Sequence, residues 1–397
     1  MTTLYGKKQN AASLAERAGS LTQFGGVRLV TFGDGVERGI RVLEFRTGSG
    51  LTFSVLVDRA MDISDLAHNG RAMGWHSPTG FRHPGLHEPE GEQGLGWTRS
   101  FSGFLSTCGL DHILGPEEVP AENYNYPRKA TVKQSLHGRI SGIPARLTGY
   151  GETWNGDRCV LWAEGVIIQA AVFGEVLQLH RRIEADLGGN EIRLTDRVVN
   201  AGFAVTPHMF FYHINMGYPL VDEGSRYLAP IKDVSWASHE SGGLEKQGVG
   251  YRRCPSPING FSEQVWEYDM GADAKGHTPV AVVNDALGIG MLIETQKSQL
   301  PCSYQWQNFQ SGHYVMAVEP STHHAKGNLF ARGRDEMIWL KAGEQRTYDT
   351  RFMVLDGAAD IKKAEQQIAA IARQPDTDYP KPSGKFVPLH GAAGKKP

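Results

Sequence analysis

An all-β fold, a large sandwich of two twisted antiparallel sheets, is what this sequence predicts. Three observations carry that expectation. Short segments alternate apolar and polar residues with a period of two. Turn dipeptides containing glycine separate them, in a chain with 48 glycines among 397 residues. Helical periodicity is scarce.

In chain order, residues 10–18 are the first helix candidate. Residues 39–47 and 51–57 follow as alternating strands, and Asp34-Gly35 and Asn69-Gly70 supply turn chemistry. Residues 78–96 and 116–127, rich in Gly, Pro, His and Glu, read as long surface loops, where specificity in a β scaffold often resides. Asn155-Gly156 and Gly189-Asn190 punctuate the middle, and residues 191–199 and 347–355 alternate again. Residues 358–373 carry the clearest helical stripe, with Ile361, Ala364, Ile368, Ile371 and Ala372 on one face. The polar, proline-rich tail after Gln374 is expected to be extended, either loose or lying over a neighbour. No linker divides the chain. The expected organisation is one β domain over residues 1–356, with an N-terminal extension, then a helix and tail over 357–397.

Composition narrows the function. The hydrophobic share of 40%, the charged share of 21% and the net charge of −2 suit a soluble globular protein. No basic stripe marks a nucleic-acid or anionic membrane surface. No apolar run is long enough to span a bilayer, and the N-terminus lacks the apolar core of a secretory signal. A cytoplasmic enzyme or binding protein is therefore expected. Cys108, Cys159, Cys254 and Cys302 stand far apart with no Cys-x-x-Cys pair. They read as buried reduced thiols, not as a thiolate zinc centre.

Candidate chemistry gathers in a few segments. In residues 314–319, Glu319 shares a strand face with Val315 and Ala317, and desolvation there raises a carboxyl towards the range of a general base. Pro320 is expected to end ladder pairing and leave Glu319 at a strand mouth. An exposed strand-end Glu is the alternative. In residues 206–219, Phe211, His213 and Asn215 share one face, a suitable floor for a polar pocket. His208 falls on the other face, which argues against a metal held by both histidines. His137 precedes Gly138, and a structural histidine is the alternative reading there. Asp58, Arg59 and Asp62 lie in an apolar stretch and must pair or serve sugar hydroxyls. Arg99 could serve a polar ligand or pair with an acid. Gln305 and Gln307 form one side of an amide and aromatic stripe, with Tyr304 and Trp306 on the other.

Taken in order, these segments resemble the galactose mutarotase (aldose 1-epimerase) superfamily. Within it they are similar to a bacterial branch described as a domain of unknown function related to aldose 1-epimerase. The carrying residues are Asp58-Arg59-Ala-Met-Asp-Ile, Thr107-Cys-Gly-Leu110, Leu136-His-Gly-Arg139, Tyr212-His-Ile-Asn-Met-Gly-Tyr-Pro219, Trp306-Gln-Asn, Val318-Glu-Pro320 and Leu340-Lys-Ala-Gly-Glu344. The likeness runs over roughly residues 20–356. It implies an antiparallel supersandwich with an open sugar cleft. It also implies Glu319 as base, His213 as acid with His208 in reserve, and His137 as a sugar-holding group. Arg99, or its rival Arg59, would take the place of the family's arginine. Asn215 and Gln305 would add sugar contacts. Two departures stand out: His213-Ile-Asn-Met where the family has His-x-Tyr-Phe, and His137-Gly-Arg where it has His-Gly-Gly. Arg139 would place a fixed positive charge near the ligand and favour an acidic or otherwise modified sugar.

The implied reaction is mutarotation of a free sugar. Glu319 takes the proton of the C1 hydroxyl while His213, as imidazolium, protonates the ring oxygen. Base and acid are expected on opposite sides of a pocket one sugar wide, and both charged near neutrality. No cofactor or metal is expected. The expected partner is a small sugar, with no nucleic acid and no membrane; a homodimer is an open option for assembly. Two other classes stay open: an epimerase or lyase abstracting a proton from an oxidised sugar, and a non-catalytic carbohydrate-binding domain.

Overall fold

The computed structural model describes residues 1–121, 129–241 and 247–389. Its strands form three large antiparallel sheets. The first is a five-stranded meander from Gly26–Thr31 through Arg41–Arg46, Leu51–Leu56 and Asp62–His68 to Arg71–Ala72. Asn69 and Gly70 turn its last hairpin, both at positive φ (50° and 77°), the backbone that an Asn-Gly turn supplies.

The second sheet has eight strands. Arg146–Asn155, Arg158–Ala170, Val176–Asp186 and Glu191–Asn200 are neighbours in sequence and in space. Gln345–Asp356 then inserts beside Glu191–Asn200 and joins Ile289–Gln296, His277–Asn284 and Arg226–Leu228. The third sheet runs Ile231–Ala237, Gln264–Met270, Cys302–Asn308, Val315–Ser321 and Thr206–Met216. Ile338–Leu340 and Leu105–Leu110 also pair with Thr206–Met216.

Strand alternation decides where the core sits. Phe210, Tyr212, Ile214 and Met216 point inward, where Phe210 stacks on Tyr348 of the second sheet at 4.7 Å. Burying each such side chain contributes about 1.5–3 kcal/mol. The opposite residues of this strand are buried as well, which an exposed sheet face would not require. Trp75, Trp97 and Phe101 of the segment 73–104 pack over them, and the tail lies further along the same sheet. The tail bonds from the Ser383 and Gly384 amides to the carbonyls of Val234 and Ser235 (2.8 and 3.1 Å), so it lies over its own chain.

The helices follow their signals. Asn10 caps Ala11–Ala15 in a reciprocal capping box with Ser13. Ala358–Ile371 buries Ile361, Ala364 and Ile368 against Val283, Leu292 and Leu355. The loop of residues 78–96 holds two short turns, Pro84–Leu86 and Gly91–Gly94. The start of the second expected loop forms a strand instead, Glu117–Pro120 paired with Thr131–Gln134; its residues 122–127 lie outside the described residues. None of the helices among the described residues is long and apolar enough to cross a membrane.

Candidate active site

His213 and Glu319 sit opposite each other on neighbouring strands. The register pairs Phe211 with Ser321 and Ile214 with Val318, which sets His213 across from Glu319. The expectation that Pro320 ends the strand is corrected: the strand runs on to Ser321, and Pro320 pairs with Ser303 on its other side. What lapses is the ladder to the His213 strand, opposite Glu319 and Pro320, where proline has no amide hydrogen to give. Glu319 thus sits within the sheet and not at its mouth, and it is buried.

The two side chains touch. His213 Nε2 lies 3.1 Å from Glu319 Oε1, although the contact is off hydrogen-bond alignment. The expected sugar-wide separation is therefore corrected as well. Neighbouring strands lie only about 5 Å apart, so facing side chains on them meet.

The tautomer of His213 follows from its neighbours. The Asn215 amide donates from Nδ2 to the Gly103 carbonyl at 2.9 Å, which leaves Oδ1 as an acceptor. His213 Nδ1–H donates to that oxygen at 2.5 Å. A neutral His213 then presents a lone pair on Nε2 towards Glu319. Burial acts on the two groups in opposite directions. It pushes the Glu319 carboxyl well above the usual carboxylate range, and the nearby Glu263 charge adds to this. It pushes His213 down to about 3, against the Asn215 hydrogen bond, which raises it. Both groups charged at neutrality was the expectation, and desolvation outweighs mutual attraction here. Both shifts favour the uncharged forms, a protonated Glu319 and a neutral His213.

His137 joins this pair from another segment. Its ring lies 5.9 Å from that of His213 and 5.0 Å from that of Phe211. Its Nδ1 is buried with no hydrogen-bond partner among the described residues. Burial first, then the His213 and His112 charges, hold it well below the ordinary histidine range. Gly138 makes the placement possible: at φ 75°, a Cβ there would meet the Gly109 carbonyl at 2.2 Å.

Four aromatic rings close over the group. Trp97 stacks on Phe101 at 4.0 Å, Phe101 lies 4.6 Å from His213, and Trp306 lies 5.1 Å from it. Trp75 links Phe101 and Trp306 at 5.1 and 6.3 Å. A cavity of about 380 Å³ opens on the far side of Trp75, lined also by Asp65, His76, Tyr218 and Tyr314. This cap was not anticipated. The alternation in residues 96–104 is irregular, and aromatic residues in a Gly-rich loop give no periodic signal. Their density was the one available clue.

The remaining candidates lie elsewhere. His208 is on the opposite strand face, between the Leu110 carbonyl (2.8 Å) and the Tyr348 hydroxyl (2.6 Å). Gln305 also faces the core, bonded to the Tyr268 hydroxyl at 2.6 Å and the Tyr251 carbonyl at 2.8 Å. Arg59 is buried and donates to the carbonyls of Ser100 (2.8 Å) and Ser141 (3.2 Å), so it holds the cap segment. Arg99 is on the surface, paired with Glu92. Arg139 reaches Gln134 at 2.9 Å and Glu90 at 3.3 Å. The structure therefore brings together His213, Asn215, Glu319 and His137, and keeps the arginines, His208 and Gln305 apart from them.

Asp62 belongs to a buried network behind the site. Arg181 bonds Asp196 at 2.8 and 2.6 Å, Asp62 at 2.8 Å and Thr107 at 2.7 Å, and Tyr212 donates to Asp196 at 2.7 Å. Asp58 pairs with Arg41 at 2.6 Å.

Solved structures share this architecture. A candidate aldose 1-epimerase from Klebsiella pneumoniae is 25% identical with a TM-score of 0.79, covering 91% of both chains. A galactose mutarotase-like protein from Clostridium acetobutylicum is 12% identical with a TM-score of 0.55, covering 84% of this chain and 99% of that one. A galactose 1-epimerase from Lactobacillus acidophilus is 12% identical with a TM-score of 0.50, covering 83% and 99%. No curated protein matches the chain. The fold is galactose mutarotase-like, an antiparallel assembly of sheets with few helices. A family model described as a domain of unknown function, DUF4432, matches residues 37–354, and the chain belongs to that family.

Proposed function

We propose that this protein is a carbohydrate isomerase that interconverts the anomers of a free sugar, with Glu319 and His213 as base and acid. The observation that carries this reading is the buried 3.1 Å contact between His213 Nε2 and Glu319 Oε1. The two oxygens that exchange protons in a hemiacetal share one carbon. Acid and base must therefore be neighbours, as facing residues of adjacent strands are.

The proton balance closes. A sugar docks against the two groups, and its approach moves the carboxyl proton from Glu319 to His213 Nε2. Glu319 accepts the proton of the C1 hydroxyl as the C1–O5 bond breaks. The electron pair goes to O5, which takes the proton from His213 Nε2, and a carbonyl forms at C1. The pair still holds one proton, now on Glu319. Rotation about C1–C2 and reversal of the steps gives the other anomer. Each proton transfer is worth about 10²–10⁴-fold. Asn215 fixes the His213 ring, and His137 offers its buried Nδ1 to a sugar hydroxyl. The aromatic cap must part to admit a sugar, with the cavity beside Trp75 as the adjoining space; closed, it excludes water.

The test is anomer exchange by NMR across a panel of neutral, acidic and keto sugars. The expected result is exchange above background for at least one sugar, with no new product. Formation of an unsaturated or epimerised product would replace this reading with proton abstraction next to a carbonyl. Tight binding without exchange would replace it with a carbohydrate-binding role.

A further inference from the structure

A second cluster of chemically capable side chains occupies the same face of the third sheet and takes no part in the proposed chemistry. Glu267 lies across from Tyr304, and Tyr304 across from Glu319, which puts Glu267 two strands from the base. Cys302 and His324 join it, and all three residues are buried. One ligating atom from each falls within a group no wider than 4.8 Å.

The arrangement is not that of a nucleophilic cysteine. A Cys-His-acid triad uses both ring nitrogens, one towards the thiol and one towards the acid. Here Cys302 Sγ (3.5 Å) and Glu267 Oε1 both meet the same nitrogen, Nδ1 of His324. The other nitrogen is committed: His324 Nε2 lies 3.0 Å from the Val387 carbonyl and must donate to it. That bond leaves the Nδ1 lone pair for the cluster in a neutral imidazole, the way metal-ligating histidines are commonly oriented. Glu267 is oriented likewise, its Oε2 accepting from the Ala325 amide at 3.0 Å. Thiol, imidazole and carboxylate converge on one point, the imidazole and the carboxylate each held by an outer partner.

From these contacts we propose that Glu267, Cys302 and His324 form a binding site for one zinc-class divalent ion. The sulfur–nitrogen distance agrees, while the closer contact of His324 Nδ1 with Glu267 Oε1 has to open to admit the ion. Tetrahedral zinc with a bond of about 2.3 Å to sulfur and about 2.05 Å to nitrogen sets those atoms about 3.6 Å apart, and the Cys302–His324 separation is 3.5 Å. A mixed sulfur, nitrogen and oxygen set suits zinc and excludes magnesium and calcium, which take oxygen. Charge balances too. A Zn²⁺ ion enters as the Cys302 thiol proton and the proton between His324 Nδ1 and Glu267 Oε1 leave to solvent, and thiolate plus carboxylate neutralise it in a buried place. A fourth position is left for water. Sequence spacing could not reveal this set, because the three residues come from two strands and the turn after a third.

The ion would fasten the C-terminal tail. Val387 bonds the ligand histidine, Phe386 packs edge-on against its ring at 4.9 Å, and Leu389 is buried against Cys302 and Tyr304. The site therefore ties the end of the chain to the sheet that carries Glu319.

The full chain should be stripped with chelator, loaded with Zn²⁺ or Co²⁺, desalted and measured. The expected result is one Zn²⁺ per chain by mass spectrometry and a thiolate-to-cobalt charge-transfer band in the Co²⁺ form. Cys302→Ser should remove the band, and Cys302→Ser and Glu267→Gln should each weaken Zn²⁺ retention by about 100-fold or more. Circular dichroism checks that both variants fold; if one does not, the other and the wild-type cobalt spectrum decide. Wild-type protein that retains no ion after loading would overturn the proposal. So would a charge-transfer band unchanged by Cys302→Ser. Neither outcome touches the anomer-exchange test, which reads a different set of residues.

Discussion

Replacing Glu319 with Gln separates chemistry from structure at a single atom. Glu319 Oε1 faces His213 Nε2 at 3.1 Å, and the His213 hydrogen on Nδ1 is already given to Asn215. A glutamine amide has the same shape and can donate to that Nε2 lone pair, so the contact survives while proton exchange ends. Loss of one proton transfer costs about 10²–10⁴-fold in kcat, or about 2.7–5.5 kcal/mol at 1.36 kcal/mol per tenfold. Sugar affinity should hardly change. Stability should move the other way. The folded protein keeps the Glu319 proton above the ordinary carboxyl range while the unfolded chain loses it. Unfolding then releases a proton, so wild-type stability falls as pH rises from that range towards the raised folded value. Glutamine has no such loss, and the variant's melting temperature at neutral pH should equal or exceed that of wild type. The assays are NMR anomer exchange and calorimetry. A variant with near wild-type turnover, or one inactive only because it is destabilised, would refute the reasoning.

Three other outcomes follow from the same pair. The pH profile of kcat/KM should be a broad bell reporting the pair and not either residue alone. Activity should fall on the acid side only as pH approaches about 3, where His213 gains a second proton for the pair, and on the alkaline side as Glu319 gives up the first. An acid limb near the ordinary histidine value of 6.5 would refute this. Asn215→Ala should lower kcat about tenfold with little change in KM, the loss of roughly one hydrogen bond's hold on the ring. Asn215→Asp, which restores an acceptor with a negative charge, should raise the His213 pKa and shift the acid limb upward. An unshifted limb would show that residue 215 does not act through His213.

Much of this was legible because it depends on periodicity. The alternation of residues 206–216 puts His213 and Asn215 on one face and His208 on the other, and the structure has them so. The alternation of residues 314–319 likewise puts Glu319 beside Val315 and Ala317. What sequence could not give is which strands become neighbours. The approach of Glu319 to His213 depends on a register between segments about a hundred residues apart, and so does the lapse in one ladder that Pro320 causes without ending its strand. Arg59 and Arg99 show the same limit. Both are guanidinium groups in plausible segments, yet Arg59 is spent on backbone carbonyls and Arg99 on a surface acid. Desolvation was foreseen for Glu319, but its effect on His213 needed the four rings that cover it.

Tyr212, next to His213 in sequence, points to the rear and bonds Asp196, which Arg181 clamps together with Asp62 and the Ala60 carbonyl. A slip of the strand by one residue would expose Tyr212 to the front and bury a histidine against a carboxylate, while taking from Asp196 the hydroxyl that Tyr212 donates. The alignment of acid with base is therefore enforced from behind, by groups no ligand touches. Loops at the front are free to be rewritten for a different ligand without disturbing it. Relatives that differ in what they bind should keep the rear clamp even where the aromatic covering has changed.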